Sequence, residues 1–163
     1  MQESTKIQYG LQMTQNLTDF LRATDNKKYA TQSGTKTHVK LKNIVIDEMH
    51  GNRGDAEIIN HILQVPNLKQ YFCPNAQTEV PIAGFINGNF ISRRIDRLLM
   101  NHKTKTIDFI DYKTDTNKDV FIEQYKKQLD EYAQLLRSAY PDYKIKGYIL
   151  WTADWTLQQI ITL

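Results

Sequence analysis

Asp111 and Lys113 stand two residues apart in the run Ile110-Asp111-Tyr112-Lys113-Thr114, and Asp96 precedes Asp111 by fifteen residues. Gln128 and Tyr132 follow at helical spacing. Carboxylates offer hard oxygen ligands to a divalent cation. A lysine beside them can orient an attacking water or offset negative charge that develops on a phosphate. Gln and Tyr four residues apart on one helix share a face, and both carry groups that hydrogen-bond a phosphate or a water. These are the parts of a metal-dependent phosphodiesterase site.

Such parts work only if the chain brings them together. The middle of the sequence reads as a β-meander. Thr78 to Ile86 is a strand interrupted by Pro81, so it belongs at an edge or a bulge. Asn87-Gly88 is a strong signal for a two-residue hairpin turn, because both residues tolerate positive φ. Asn89 to Leu99 and Thr106 to Lys113 are the next two strands. The Asn87-Gly88 turn makes Ile86 face Asn89, and counting outward Glu79 faces Asp96. A four-residue loop from His102 to Lys105 pairs Asn101 with Thr106, so Asp96 faces Asp111. Three carboxylates then form one row, with neighbours about 5 Å apart. Lys113 shares their face. A bulge near Pro81 or Gly84 would shift this register.

Three ionised carboxylates in a row repel one another unless a cation neutralises them. Oxygen ligands of this kind select magnesium or manganese, as one or two ions. His38 is a further candidate metal ligand. Thr35 or Thr37 can cap its helix, in which His38, Leu41 and Val45 recur at spacings of three and four. Ala56 to Leu63 reads as a second helix, ending before Pro66, and about Asp119 to Tyr140 as a long third. Lys144 to Thr152 is a mostly buried strand, and Thr156 to Leu163 a short strand or terminal helix. The fold expected is α/β: a mixed central β-sheet flanked by helices. Residues 1–33 are polar, with a weakly amphipathic patch at Leu17, Phe20 and Leu21, and read as an arm or peripheral helix. Residues 34–163 form the expected domain.

The chain has 163 residues, 40% hydrophobic and 24% charged, with a formal charge of +3, which permits a polyanionic partner without requiring one. Its single cysteine, Cys73, excludes an internal disulfide, a four-cysteine zinc site or an iron–sulfur cluster within this chain. No run approaches the roughly 20 apolar residues of a membrane span. The first residues lack the apolar stretch of a signal peptide, so a cytoplasmic location is expected.

From Gly34 to Trp155 the sequence resembles the PD-(D/E)XK nuclease superfamily, and more narrowly the nuclease domain of RecB- and AddA-type helicase–nucleases. The motifs occur in that family's order: Gly34 with His38, Thr78-Glu79-Val80-Pro81, Ile95-Asp96-Arg97, Asp111-Tyr112-Lys113-Thr114, and Gln128 with Tyr132. The resemblance implies a restriction-endonuclease-like core. His38, Asp96 and Asp111 would bind the metal with the Tyr112 carbonyl, and Lys113 would be the catalytic lysine. It also implies a deoxyribonuclease that processes DNA ends in break repair and recombination, on single strands delivered by a helicase domain or subunit. Arg93 stands where the family often has glycine, and the lack of four cysteines matches the cluster-free branch. There is no Gly-rich ATP loop, so the chain reads as an excised nuclease domain or a free-standing relative.

Among the basic residues, Arg94 shares parity with Asp96 and is the best candidate for a phosphate contact, together with Gln128 and Tyr132. Arg93 and Arg97 should point the other way, and Asp108, of opposite parity to Asp111, stays outside the site. Tyr71 and Phe72 are candidates for base stacking or core packing. The rival reading is a non-catalytic DNA-binding or scaffolding module with the same fold, which the intact Asp-x-Lys disfavours. An RNA-processing enzyme is a third.

Overall fold

The structure is a computed structural model that describes residues 32–163. The expected arm or peripheral helix at residues 1–33 falls on residues almost wholly outside that range. Residues from Ser33 to Leu163 form one compact unit. In chain order its elements are α1 (Gln32–Lys42), α2 (Ala56–Gln64), a short 3-10 turn (Lys69–Phe72), β1 (Gln77–Ile86), β2 (Asn89–Asn101), β3 (Thr106–Lys113), α3 (Lys118–Ala139), β4 (Lys144–Trp151) and β5 (Thr156–Thr162). The five strands form one mixed sheet in sequence order. Only β3 and β4 run parallel, and α3 makes the crossover between them. No helix among the described residues is long and apolar enough to cross a membrane.

Each face of the sheet has its own core. On one side Leu129, Ala133 and Leu136 of α3 pack with Leu98, Phe109, Ile145 and Ile149. On the other, Leu41 of α1 and Ile58 and Ile62 of α2 pack with Tyr71, Phe72, Ile110, Tyr112 and Leu150. Tyr71 and Phe72 are 3% and 0% exposed, so both belong to the core and neither is free to stack on a base. Asp55 caps α2 by accepting from the Glu57 and Ile58 amides, and the same carboxylate holds Lys40 of α1 at 2.9 Å.

The turn-based register holds along the whole hairpin. Ile86 pairs with Asn89 and, at the far end, Gln77 with Leu98. Asn101 pairs with Thr106, and the ladder runs to Arg97 opposite Ile110. Pro81 sits inside β1, which is an edge strand, where a missing amide costs least. The local irregularity falls at Glu79, whose φ is 56°, rather than at Pro81 or Gly84.

α1 differs from its expected bounds. It spans Gln32–Lys42, so Gly34, Thr35 and Thr37 lie within it rather than at its start. Val45 lies beyond its end and bridges to Arg53. Three-residue spacing of apolar groups cannot tell the last turn of a helix from the loop that folds back beneath it. β5 resolves the open reading of the tail as a strand.

Candidate active site

Asp111 points towards α3, where it meets three side chains. The Lys113 ammonium lies 2.5 Å from Oδ2. The Gln128 amide donates to Oδ1 at 3.1 Å and the Tyr132 hydroxyl to the same oxygen at 3.3 Å. Gln128 also hydrogen-bonds the Tyr132 hydroxyl and accepts from Lys113 at 3.1 Å through Oε1. These contacts exist because residues 128 and 132 share the buried side of α3 as it crosses the end of β3. Asp111 is fully buried, and Lys113 has only 13% of its side chain exposed. Burial pushes the Tyr132 phenol well up, and the charges of Asp111 and Asp96 add to the shift.

Asp96 is 3% exposed. Its Oδ2 accepts the Tyr112 amide at 2.8 Å, in the position where the β2–β3 ladder stops. His38 Nδ1 is 3.8 Å from the same oxygen, and the His38 ring meets the Tyr112 ring edge-on at 5.5 Å. Thus α1 brings His38 to Asp96, and α3 brings Gln128 and Tyr132 to Asp111.

The predicted row of three carboxylates on one face does not form as such. Ile95 and Leu98 both pack with α3, although strict alternation would put them on opposite faces. The strand therefore changes facing at Asp96 and Arg97. Opposite this point the backbone of Glu79 turns left-handed, and its carboxylate lies 3.4 Å from Arg94 Nη1. So Arg94 meets Glu79, as parity suggested. Arg93 and Arg97 do not point the same way. Arg93 meets Glu131 of α3 at 2.7 Å. Arg97 enters the other core, 2% exposed, and is no surface charge. Asp108 lies on the face away from α3, as expected, and accepts from Tyr71.

Two supporting residues escaped the sequence reading. Tyr125 places its ring 4.2 Å from the Lys113 ammonium, while its hydroxyl donates to Asp115 at 2.5 Å. Burial, then the bond to Asp115, pushes this phenol up, so it remains a neutral donor. Its spacing of three before Gln128 was the available signal. Arg97 donates from Nε to the Tyr112 hydroxyl at 2.7 Å and from Nη2 to the Leu41 carbonyl at 2.8 Å. It also reaches the Ile44 and Tyr71 carbonyls, both at 3.3 Å, and stacks 4.0 Å above Phe72. It thereby closes the carbonyl end of α1, where a cation suits the helix dipole. An arginine beside the apolar run Leu98-Leu99-Met100 was the clue.

The donor set suits a divalent cation in kind. Two nearly unexposed carboxylates stand in a place where burying negative charge is costly without a counter-charge, and the His38 ring lies beside one of them. Among the described residues, however, no three His, Cys, Asp or Glu side chains are gathered as a ligand group. The Lys113 ammonium holds Asp111, and Arg94 holds Glu79. No protein-family model matches the chain, and no curated protein matches it.

Proposed function

We propose that this protein is a divalent-metal-dependent deoxyribonuclease with a restriction-endonuclease-like core, acting on DNA ends in exonuclease fashion. The observation that carries the reading is the buried Asp111–Lys113 pair tied to Gln128 and Tyr132, with Asp96 and His38 beside it. The helix, meander, helix, strand order supports the same core. Asp96 and Asp111 would hold magnesium or manganese, with His38 next to Asp96. When bound, such an ion supplies Lewis acidity towards water and phosphate.

The chain's own groups do the rest. Water adds to phosphorus in line, and the P–O bond to one sugar oxygen breaks, leaving a phosphate monoester and a hydroxyl. Lys113, fixed by Asp111, Tyr125 and Gln128, hydrogen-bonds the phosphate oxygen that gains charge. Gln128 and Tyr132 orient the Asp111 carboxylate. Arg94 supplies a cation at the rim, 42% exposed, suited to a backbone phosphate of single-stranded or end-containing DNA.

The test is cleavage of linear single-stranded, circular single-stranded and duplex DNA, and of RNA, with magnesium, manganese or chelator. Metal-dependent cutting of linear DNA should fall about 10²–10³-fold in Lys113→Ala with DNA binding kept. Cutting of the circle would assign endonuclease action instead. A folded wild-type protein that binds DNA and cuts nothing with either metal refutes the proposal in favour of a non-catalytic DNA-binding module.

A further inference from the structure

On the face of the sheet away from α3, the loop after α2 and residues of β3, β4 and β5 line an open cleft of about 770 Å³. Asp111 and Lys113 face the other way, towards α3. Tyr71 and Tyr148 lie buried beneath the floor of this cleft, and partly exposed Trp155 supplies its accessible aromatic ring. Trp155 is held flat, because His61 covers one of its ring faces at 4.8 Å with the planes 8° apart. Its backbone is left-handed, with φ of 54°, at the end of the β4–β5 turn. Gly or Asn is the ordinary occupant of such a position, and a bulky side chain there carries strain. Strain of that kind collects at binding sites, where a ring must be presented in one orientation.

The polar groups are as specific. Asp108 accepts the Tyr71 hydroxyl through Oδ2 at 3.2 Å, while its Oδ1 is buried with no donor from the described residues. Lys146, the register partner of Asp108 on β4, brings a cation to the same wall. Gln70 and Gln159 add side-chain amides, each giving one N–H within the protein, to the Asn67 carbonyl at 2.9 Å and the Thr162 hydroxyl at 2.6 Å, and each keeping an oxygen and a second N–H.

We propose that this cavity binds a nucleobase. A flat heterocycle matches the ring face of Trp155 that His61 leaves uncovered, and its edge carries N–H donors and ring acceptors that suit the carboxylate and the amides. Lys146 suits the attached phosphate. An aliphatic ligand would make no use of these polar groups, and a bare anion would meet Asp108. The volume falls within the roughly 300–1,000 Å³ of small-ligand sites. The base could come from a free nucleotide or from a single strand. This site does not rest on the nuclease reading, since its residues share none of the Asp111 contacts.

The experiment is a titration of the folded protein followed by the indole N–H signals of its two tryptophans, Trp151 and Trp155. The probes are the four 5′-mononucleotides, a short single-stranded oligonucleotide, an abasic chain of equal length, and glucose. Mononucleotides should shift the Trp155 signal saturably and leave that of fully buried Trp151 in place. Trp155→Leu and Gln70→Ala should each weaken binding about tenfold. Tighter binding of the oligonucleotide than of any mononucleotide at Trp155 assigns a strand as the source, and equal binding assigns a free nucleotide. The proposal is overturned if no nucleobase probe moves the Trp155 signal of a well-dispersed spectrum, or if glucose or the abasic chain moves it as far.

Discussion

Replacing Arg97 by alanine should remove about 3–5 kcal/mol of folding stability. The guanidinium is 2% exposed and makes two short hydrogen bonds, to the Tyr112 hydroxyl at 2.7 Å and the Leu41 carbonyl at 2.8 Å. Hydrogen bonds to a charged group contribute about 1.5–3 kcal/mol each. The stack on Phe72, at 4.0 Å, adds about 1–2 kcal/mol. Water entering the emptied space would recover part of this, which brings the sum down to the stated range. A domain of this size is stable by about 5–15 kcal/mol, so the variant stands near the margin. Arg97→Lys should lose roughly half as much, because an ammonium cannot span the phenol and the carbonyls together. Urea unfolding followed by far-UV circular dichroism measures both variants. A loss below about 1 kcal/mol for Arg97→Ala, the size of an ordinary surface substitution, would refute the reasoning. The same residue fastens the end of α1, so its loss should also displace His38 from Asp96.

Burial raises the Asp108 carboxyl above its ordinary 3.8, so the folded chain keeps that proton to higher pH than the unfolded chain does. Asp108 therefore costs stability above its folded titration, and the cost fades as pH falls towards 3.8. Asp108→Asn should stabilise the protein at pH 7 and less so near pH 4; a gain that does not change with pH in urea unfolding would contradict this. Gly147→Ala should destabilise by about 1–3 kcal/mol. Its Cβ would fall on the Phe109 ring, 2.9 Å from Cε2, and Phe109 in turn packs against Tyr132; an unchanged thermal midpoint would count against that packing. If Asp96 and Asp111 bind a divalent ion, magnesium or manganese at about one hundred times its Kd should stabilise the wild type by about 2.7 kcal/mol. Asp96→Asn should abolish that response, and equal metal-dependent shifts in the two proteins would place the ion elsewhere.

The sequence by itself determined the elements and most of the register. Asn87-Gly88 specified a turn that set every pair of the first hairpin, because two-residue loops leave the strands no freedom to slip. Helical spacing was enough to put Gln128 and Tyr132 on one face, and strand spacing to put Asp111 and Lys113 on another. The structure does bring these four into contact.

Tertiary structure decided what local periodicity does not encode. Alternation fails at Asp96 and Arg97 because the Asp96 carboxylate takes the Tyr112 amide where the ladder ends, and Glu79 turns left-handed across from it. That change of facing turned Arg93 towards Glu131 of α3, an outcome that strict parity reverses, while Arg97 kept the face of Ile110 and entered the core there. The burial of Arg97 depends on carbonyls supplied from residues 41, 44 and 71, far away in the chain. The cavity beside Trp155 likewise exists only where the loop after α2 meets β3, β4 and β5. Contacts between distant segments have no spacing signature, so packing alone settles them.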